Sequence, residues 1–149
     1  MNALENRKNS PLVSVVVNNY NNGRYLEDCL NALLEQSYSN IELIVVDAFS
    51  ADESREIINE IASRDLRVKP VFTDSYVKYP AITYNLGFLN CLGDYIAIND
   101  SDDISHPDRI KKQLKFLLEN PEFDVVGCNC IEFNETYKRV NKTTVDRNV

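Results

Sequence analysis

An α/β architecture, with a mostly parallel sheet held between helices in three layers, is predicted by three observations. Strand-like and helix-like patterns alternate from residue 12 to residue 133, the sign of parallel strands joined by helical crossovers. The first strand is a near-continuous apolar run, as expected where both faces are covered. The polar clusters fall at strand ends, where open sheets of this kind bind ligands.

Residues 12–17 form the first strand, ended by Asn18-Asn19-Tyr20-Asn21-Asn22-Gly23. In residues 25–36 the apolar positions Leu26, Cys29, Leu30, Leu33 and Leu34 recur at helical spacing. Residues 41–46 form a second buried strand that delivers Asp47 to its carboxyl end. Ser50-Ala51-Asp52-Glu53 has the form of a capping box and predicts a helix over 52–64. A third strand covers 68–72, and a third helix covers 81–92, closed by Gly93 in a left-handed position. The fourth strand is 95–99. Ser105-His106-Pro107-Asp108 opens a fourth helix with Pro107 in its first turn and Ile110, Leu114, Leu117 and Leu118 on its core face. A fifth strand is expected over 124–133, and the aperiodic segment 134–149 is expected to fray. The expected organisation is a polar segment 1–11, one domain 12–133 and a polar tail.

At 149 residues the chain fits a single domain that buries about two-thirds of its surface. The net charge of −7 argues against nucleic acid or an anionic membrane as the main partner, and a polyphosphate ligand would need a cation between. Cys29, Cys91, Cys128 and Cys130 lack the spacing of a zinc or redox motif and read as free thiols. Cys128 and Cys130 are expected to share one strand face as small hydrophobes. A polar, mixed-charge start excludes a signal peptide, and no apolar run reaches the roughly 18 residues of a membrane span. The expected location is the cytoplasm, with a peripheral place at the inner face of the membrane as the alternative. On that expectation the sequons at Asn134 and Asn141 are irrelevant.

The fourth strand runs straight into Asp100-Ser101-Asp102-Asp103. Extended backbone sends alternate side chains to one side, so Asp100 and Asp102 can converge while Asp103 turns away. Mg²⁺ or Mn²⁺ takes oxygen ligands, often only one or two of them protein carboxylates, and completes its shell with phosphates and water. The same residues also serve simply to end a strand and begin a turn. Tyr20 after the first strand, Asp47 after the second and Asp100 with Asp102 after the fourth can meet in one crevice, which favours a metal-diphosphate site.

The ordered segments Val13-Ser14-Val15-Val16-Val17-Asn18-Asn19-Tyr20-Asn21, Gln36-Ser37-Tyr38 and Ile41-Glu42-Leu43-Ile44-Val45-Val46-Asp47 resemble the start of family 2 glycosyltransferases. Asn85-x-Gly87, Gly93-Asp94-Tyr95-Ile96, Asp100-Ser101-Asp102-Asp103 and Pro107-x-Arg109 continue the resemblance to about residue 130. It implies a Rossmann-like glycosyltransferase-A fold, a nucleotide-diphosphate-sugar donor, with UDP-sugars favoured, divalent Mn²⁺ or Mg²⁺, and inverting transfer to a saccharide or lipid-linked acceptor. Carried over, Asn18, Tyr20, Asp47, Asp100 and Ser101 would bind donor, with Tyr20 stacking on the base. Asp102, with Asp100, would hold the metal. The alternatives are a core-covering Tyr20 and an Asp47 that accepts nearby backbone N–H groups. Asp103 would orient its neighbours or cap the next turn, Asn85 and Gly87 would shape helix packing, Arg109 is either a phosphate aid or a solvated charge, and His106 reads as a turn residue.

Three departures qualify the resemblance. Ala48-Phe49 stands where the family commonly has a second Asp followed by Gly or Asn, which removes a carboxylate that reads the base. Tyr84 stands where a basic residue often precedes Asn85. The general base lies in the family's acceptor half, expected beyond this chain, and neither Glu132 nor Glu135 is marked as one. The competing functions are a non-catalytic nucleotide-sugar-binding or interaction module and a nucleotidyltransferase, the latter disfavoured because no Gly-rich loop follows the first strand. An exposed surface on the acceptor side would favour self-association.

Overall fold

The computed structural model describes residues 10–133 and 138–141. Its elements run β1 (Val13–Asn19), α1 (Gly23–Leu34), β2 (Ile41–Asp47), α2 (Ser54–Arg64), β3 (Val68–Phe72), α3 (Pro80–Leu89), β4 (Tyr95–Asp100), α4 (Arg109–Glu119), β5 (Cys130–Phe133) and β6 (Lys138–Asn141). β1 to β4 make one sheet in the order β3-β2-β1-β4, with every pairing parallel. The chain divides into two compact units, Met1–Lys111 and Lys112–Val149.

The first unit holds this sheet. β1 and β2 are its inner strands, and their β-branched runs are buried along their length, with Val15, Val16 and Val17 of β1 wholly out of solvent. β3 carries Pro70, which cannot donate to a ladder, and it lies at an edge. On one face α3 packs Tyr84, Leu86 and Phe88 against Val16, Ile44 and Val46. α1 buries Leu26, Cys29, Leu30 and Leu33, the stripe read from its period, and packs with α2.

Two polar side chains inside the sheet satisfy one another. Ser14 Oγ donates to Glu42 Oε1 at 2.6 Å from the matched position on β2, and Glu42 Oε1 also accepts the Leu92 N–H at 2.7 Å. Ser14 Oγ in turn accepts the Gly93 N–H at 2.8 Å.

Several expected boundaries move. The capping box does not form: α2 begins at Ser54, and Asp52 supplies the acceptors, taking the N–H of Ser54 at 3.1 Å and of Gly23 at 2.9 Å. The Ser50 hydroxyl is held elsewhere, accepting from the Asn21 N–H at 2.9 Å. α3 ends at Leu89, three residues early, and Gly93 does not close it in a left-handed conformation, since no described glycine has positive φ. Gly93 is needed for close approach: a Cβ there would lie 2.6 Å from Ser14 N and 2.8 Å from the Leu12 carbonyl oxygen. Pro107 lies in a turn ahead of α4, where its carbonyl accepts the Ser37 N–H at 2.8 Å. Gln36 fastens that turn, donating to the His106 carbonyl at 2.8 Å and accepting the Ile110 N–H at 3.0 Å. On α4, Ile110 and Leu114 are buried as expected, Leu117 is half-buried and Leu118 is exposed.

In the second unit the rings of Phe116 and Phe123 meet at 5.5 Å. The expected fifth strand shrinks to β5, which pairs antiparallel with β6 in a separate hairpin, Cys130 opposite Asn141. Part of the segment expected to fray therefore forms a strand. Glu135 and residues 142–149 lie outside the described residues. Cys128 and Cys130 are exposed, contrary to expectation, because residues 124–129 belong to no strand and offer no shared inner face. Among the described residues no helix is long and apolar enough to cross a membrane.

Two of the three Gly93 contacts, Ser14 N and the Leu12 carbonyl oxygen, are backbone atoms, which cannot swing aside. Gly93→Ala is expected to cost about 1–3 kcal/mol by overpacking. Gly127, whose added Cβ would meet nothing within 4 Å, is the control, and Gly127→Ala should stay within about 0.5 kcal/mol of the parent in urea unfolding.

Candidate functional site

The sheet brings three strand ends side by side. The register sets Asn18 beside Asp100 of β4 and Asn19 beside Asp47 of β2. Beyond those pairs the loops are stitched together. The Ser101 N–H donates to the Asn18 carbonyl at 3.2 Å, and the Ala48 N–H donates to the Asn19 carbonyl at 2.9 Å. Asn22 Nδ2 donates to Ser101 Oγ at 2.9 Å, and Asn21 Oδ1 accepts the Ala51 N–H at 2.8 Å. Asn21 reaches this position with φ 52, a left-handed conformation that Asn tolerates.

Asp47 is fully buried, and both of its oxygens are engaged within the protein. Oδ1 accepts from the Ser50 N–H at 3.0 Å and from Arg55 Nε at 2.8 Å, while Oδ2 accepts from Asn19 Nδ2 at 2.9 Å. Burial alone would raise this carboxyl, but the hydrogen bonds from Ser50, Arg55 and Asn19 outweigh it and hold the group below its ordinary range. This geometry is that of an acceptor for groups at a loop start. Arg55 also donates to the Thr73 carbonyl at 2.7 Å, and its guanidinium lies over Phe49 at 5.2 Å and Phe72 at 5.1 Å. Phe49 has φ 69, an uncommon conformation for a bulky side chain, and it is exposed.

At the first strand end, Tyr20 is 44% exposed, which sets it apart from a core-covering residue, and its ring meets Tyr76 at 4.8 Å. The side-chain oxygens of Asn18 and Asn19 are buried without a hydrogen-bond partner. Buried acceptors of this kind are ordinarily satisfied by water or ligand.

At the third strand end, Ser101 is buried while Asp100, Asp102 and Asp103 are exposed. One Asp100 oxygen accepts a short hydrogen bond from the Tyr84 hydroxyl. The Asp103 N–H donates to the Asp100 carbonyl at 3.1 Å and closes the turn. The Asp103 carboxyl is raised by burial and by the charges of Asp102 and Asp100, partly offset by Arg109. The three carboxylates therefore share one field, which a cation would relieve. The all-oxygen donor set fits Mg²⁺ or Mn²⁺. Among the described residues no group of three or more ligating side chains forms, so these residues fit a cation only as the one- or two-carboxylate partner of a bound diphosphate.

Asn19, Asn99 and Arg55 are organising residues that the sequence reading passed over. Asn99 Nδ2 donates to the carbonyls of Asp100 at 2.8 Å and Asp103 at 3.2 Å, and its Oδ1 accepts from Ser105 Oγ at 2.8 Å and Arg109 Nη2 at 3.1 Å. An asparagine closing an otherwise apolar strand is the signal that marks it. Arg109 is thus tied beneath the acidic loop, also donating to Ser105 Oγ at 2.9 Å. Cys29 contacts the same cluster, and burial pushes its thiol up to about 12, so it stays protonated. His106 lies in the turn ahead of α4, with Nδ1 accepting the Asp108 N–H at 3.1 Å. Asn85 is exposed, and Gly87 serves packing, since a Cβ there would lie 2.4 Å from Val16 Cγ1.

The sequence matches the profile described as Glycosyl transferase family 2 over residues 14–147. An uncharacterized glycosyltransferase of Haemophilus influenzae is 46% identical over 112 residues, 75% of this chain and 44% of that protein. TuaG of Bacillus subtilis, named for teichuronic acid biosynthesis, is 36% identical over 109 residues, 73% of this chain and 43% of that protein. The structure of S. aureus TarS in complex with UDP-GlcNAc matches with a TM-score of 0.68 at 27% identity, covering 73% of this chain and 32% of that one. The chain thus spans less than half the length of these relatives.

The hydrogen bonds to Asp47 are a pH-dependent contribution to stability. Its native value lies below the unfolded value of about 3.9, so the contribution is complete above that pH and is lost as pH falls through the native value. Denaturant unfolding should find Asp47→Asn less stable than the parent by about 1.5–3 kcal/mol at pH 7, with the gap narrowing steadily below pH about 4. A gap independent of pH would contradict this account of Asp47.

Proposed function

This chain belongs to glycosyl transferase family 2, and from that premise we propose that it is the donor-binding portion of a metal-dependent inverting glycosyltransferase. Its fold is of the glycosyltransferase-A type, a mostly parallel sheet with flanking helices. The donor in this reading is a nucleotide-diphosphate sugar, with a UDP-sugar favoured by the likeness to TarS, solved with UDP-GlcNAc. The acceptor is a saccharide or lipid-linked glycan of polysaccharide or glycolipid synthesis, in keeping with the likeness to TuaG.

The observation that carries the reading is the joining of three strand ends, with unsatisfied Asn oxygens at one side and a shared carboxylate field at the other. Tyr20, exposed on its loop, offers a face for the base. The free oxygens of Asn18 and Asn19 suit N–H or O–H donors of the nucleoside. Asp47 acts on that end indirectly, by fixing Ser50 and Arg55. Ser101 holds Asn22 and so keeps the first and third loops together. Asp102, with Asp100, would hold Mn²⁺ or Mg²⁺, which when bound neutralises charge on the departing diphosphate. In the inverting reaction an acceptor oxygen bonds to the anomeric carbon as the bond to diphosphate breaks, and the acceptor proton passes to a general base. No residue of this chain is assigned that proton.

Calorimetric titration of UDP and GDP, with and without Mn²⁺, into the parent and Asp102→Ala tests the reading. UDP binding that requires Mn²⁺ and weakens at least about tenfold in the variant is expected. Metal-independent binding would overturn the cation role, and no binding of either nucleotide would overturn the donor site.

A further inference from the structure

Tyr84 is the residue through which α3 reaches the acidic loop. Its ring is held from the core side, packed with Phe88 at 6.2 Å between centroids and against the buried cluster of Val16, Ile44 and Val46. Its hydroxyl extends to the end of β4 and donates to one oxygen of Asp100. The Asp100 backbone is fixed independently, since its carbonyl accepts from Asn99 Nδ2 at 2.8 Å and from the Asp103 N–H at 3.1 Å.

We propose that Tyr84 is a positioning residue for the cation site, tying one oxygen of Asp100 so that the other faces the ion as a single-oxygen ligand. The inference rests on the cation role given above to Asp100 and Asp102. A phenol suits the task in a way that a basic side chain would not. An ammonium or guanidinium beside Asp100 would form an ion pair and compete with the divalent ion for the carboxylate. The phenol fixes the carboxylate and leaves its charge in place. A phenol is protonated at neutral pH and therefore serves as the donor. Hydrogen bonds of this kind to metal-ligating carboxylates typically carry about 10–100-fold in metal affinity.

The test is titration of Mn²⁺ with UDP into the 149-residue chain, with the free ion followed by electron paramagnetic resonance and the bound ion's waters by proton relaxation. Tyr84→Phe, which keeps the ring against Phe88, should weaken Mn²⁺ binding about tenfold. Its relaxation enhancement per bound ion should fall, because an untied Asp100 can bind through both oxygens and displace a water. Tyr84→Met, measured beside it with a melting curve for each, should give the same loss if the hydroxyl is what matters. In an Asp100→Ala background the Tyr84→Phe effect should vanish. Unchanged affinity and enhancement in Tyr84→Phe would overturn the inference, as would an equal loss in the Asp100→Ala background, the mark of a general packing defect. Failure of the cation site itself has a different signature, Mn²⁺ binding by Asp102→Ala equal to the parent, and it would overturn both.

Discussion

The register of β1 between β2 and β4 is the constraint on which the rest of the molecule depends. Hydrogen-bonded on both sides and buried on both faces, β1 has no alternative way to lie. A slip of one residue would exchange Val16 for Val15 or Val17 against α3 and carry Asn18 and Asn19 away from their partners. The polar group at the amino end pins that register. Ser14, Glu42 and the N–H groups of Leu92 and Gly93 bond one another inside an otherwise apolar layer. Hydrogen bonds to a buried carboxylate are worth about 1.5–3 kcal/mol each, and a slipped sheet would leave that carboxylate unpaired.

At the opposite ends of the same strands the carboxylates have two different fates. Asp47 is saturated: its partners outweigh its burial, and its charge is spent within the protein. The acidic loop is not: the Asp103 carboxyl is raised first by desolvation and then by Asp102 and Asp100, with Arg109 in opposition. Carboxylate charge not spent on partners within the protein is therefore concentrated at the end of β4. Phe49 belongs to the saturated side. A bulky residue at positive φ costs on the order of 1–3 kcal/mol, and it persists where the surroundings over-determine it. Here Ser50 is bonded to Asp47 and Arg55 lies over the ring.

What could be read from the residues followed how local the determinant was. The strands of the main sheet and the stripe of α1 follow from period and β-branching, and they appear where the pattern put them. Gly93 could be recognised as special but not for the right reason, because a close approach between a loop and β1 has no local signature. The capping box failed since the Ser50 hydroxyl is claimed by Asn21, 29 residues earlier in the chain. Cys128 and Cys130 were misplaced by extending a strand through residues 124–129, which belong to no strand. The positions of Tyr20, Asp47 and Asp100 at strand ends were legible, while the couplings through Asn19, Asn99, Arg55 and Tyr84 were not. Asn19 and Tyr84 act across long gaps in sequence that the fold closes, while Asn99 and Arg55 act through loop geometry that no period reveals.

The charge balance of the chain gives the acidic loop its meaning. A net charge of −7 repels a nucleotide diphosphate at long range, and no helix or loop dipole at the crevice reverses a charge of that size. Screening limits this repulsion to about 8–10 Å at physiological salt, so it governs approach more than the bound state. Within the crevice the balance is set by nearest neighbours. Arg55 and Arg109 are engaged by Asp47 and by Asn99 with Ser105. Both therefore hold loops, and in the proposed reading the countercharge for a diphosphate is the divalent ion. In the proposed reading, the carboxylates clustered at this strand end are one half of a site whose other half is a divalent ion carried by the diphosphate.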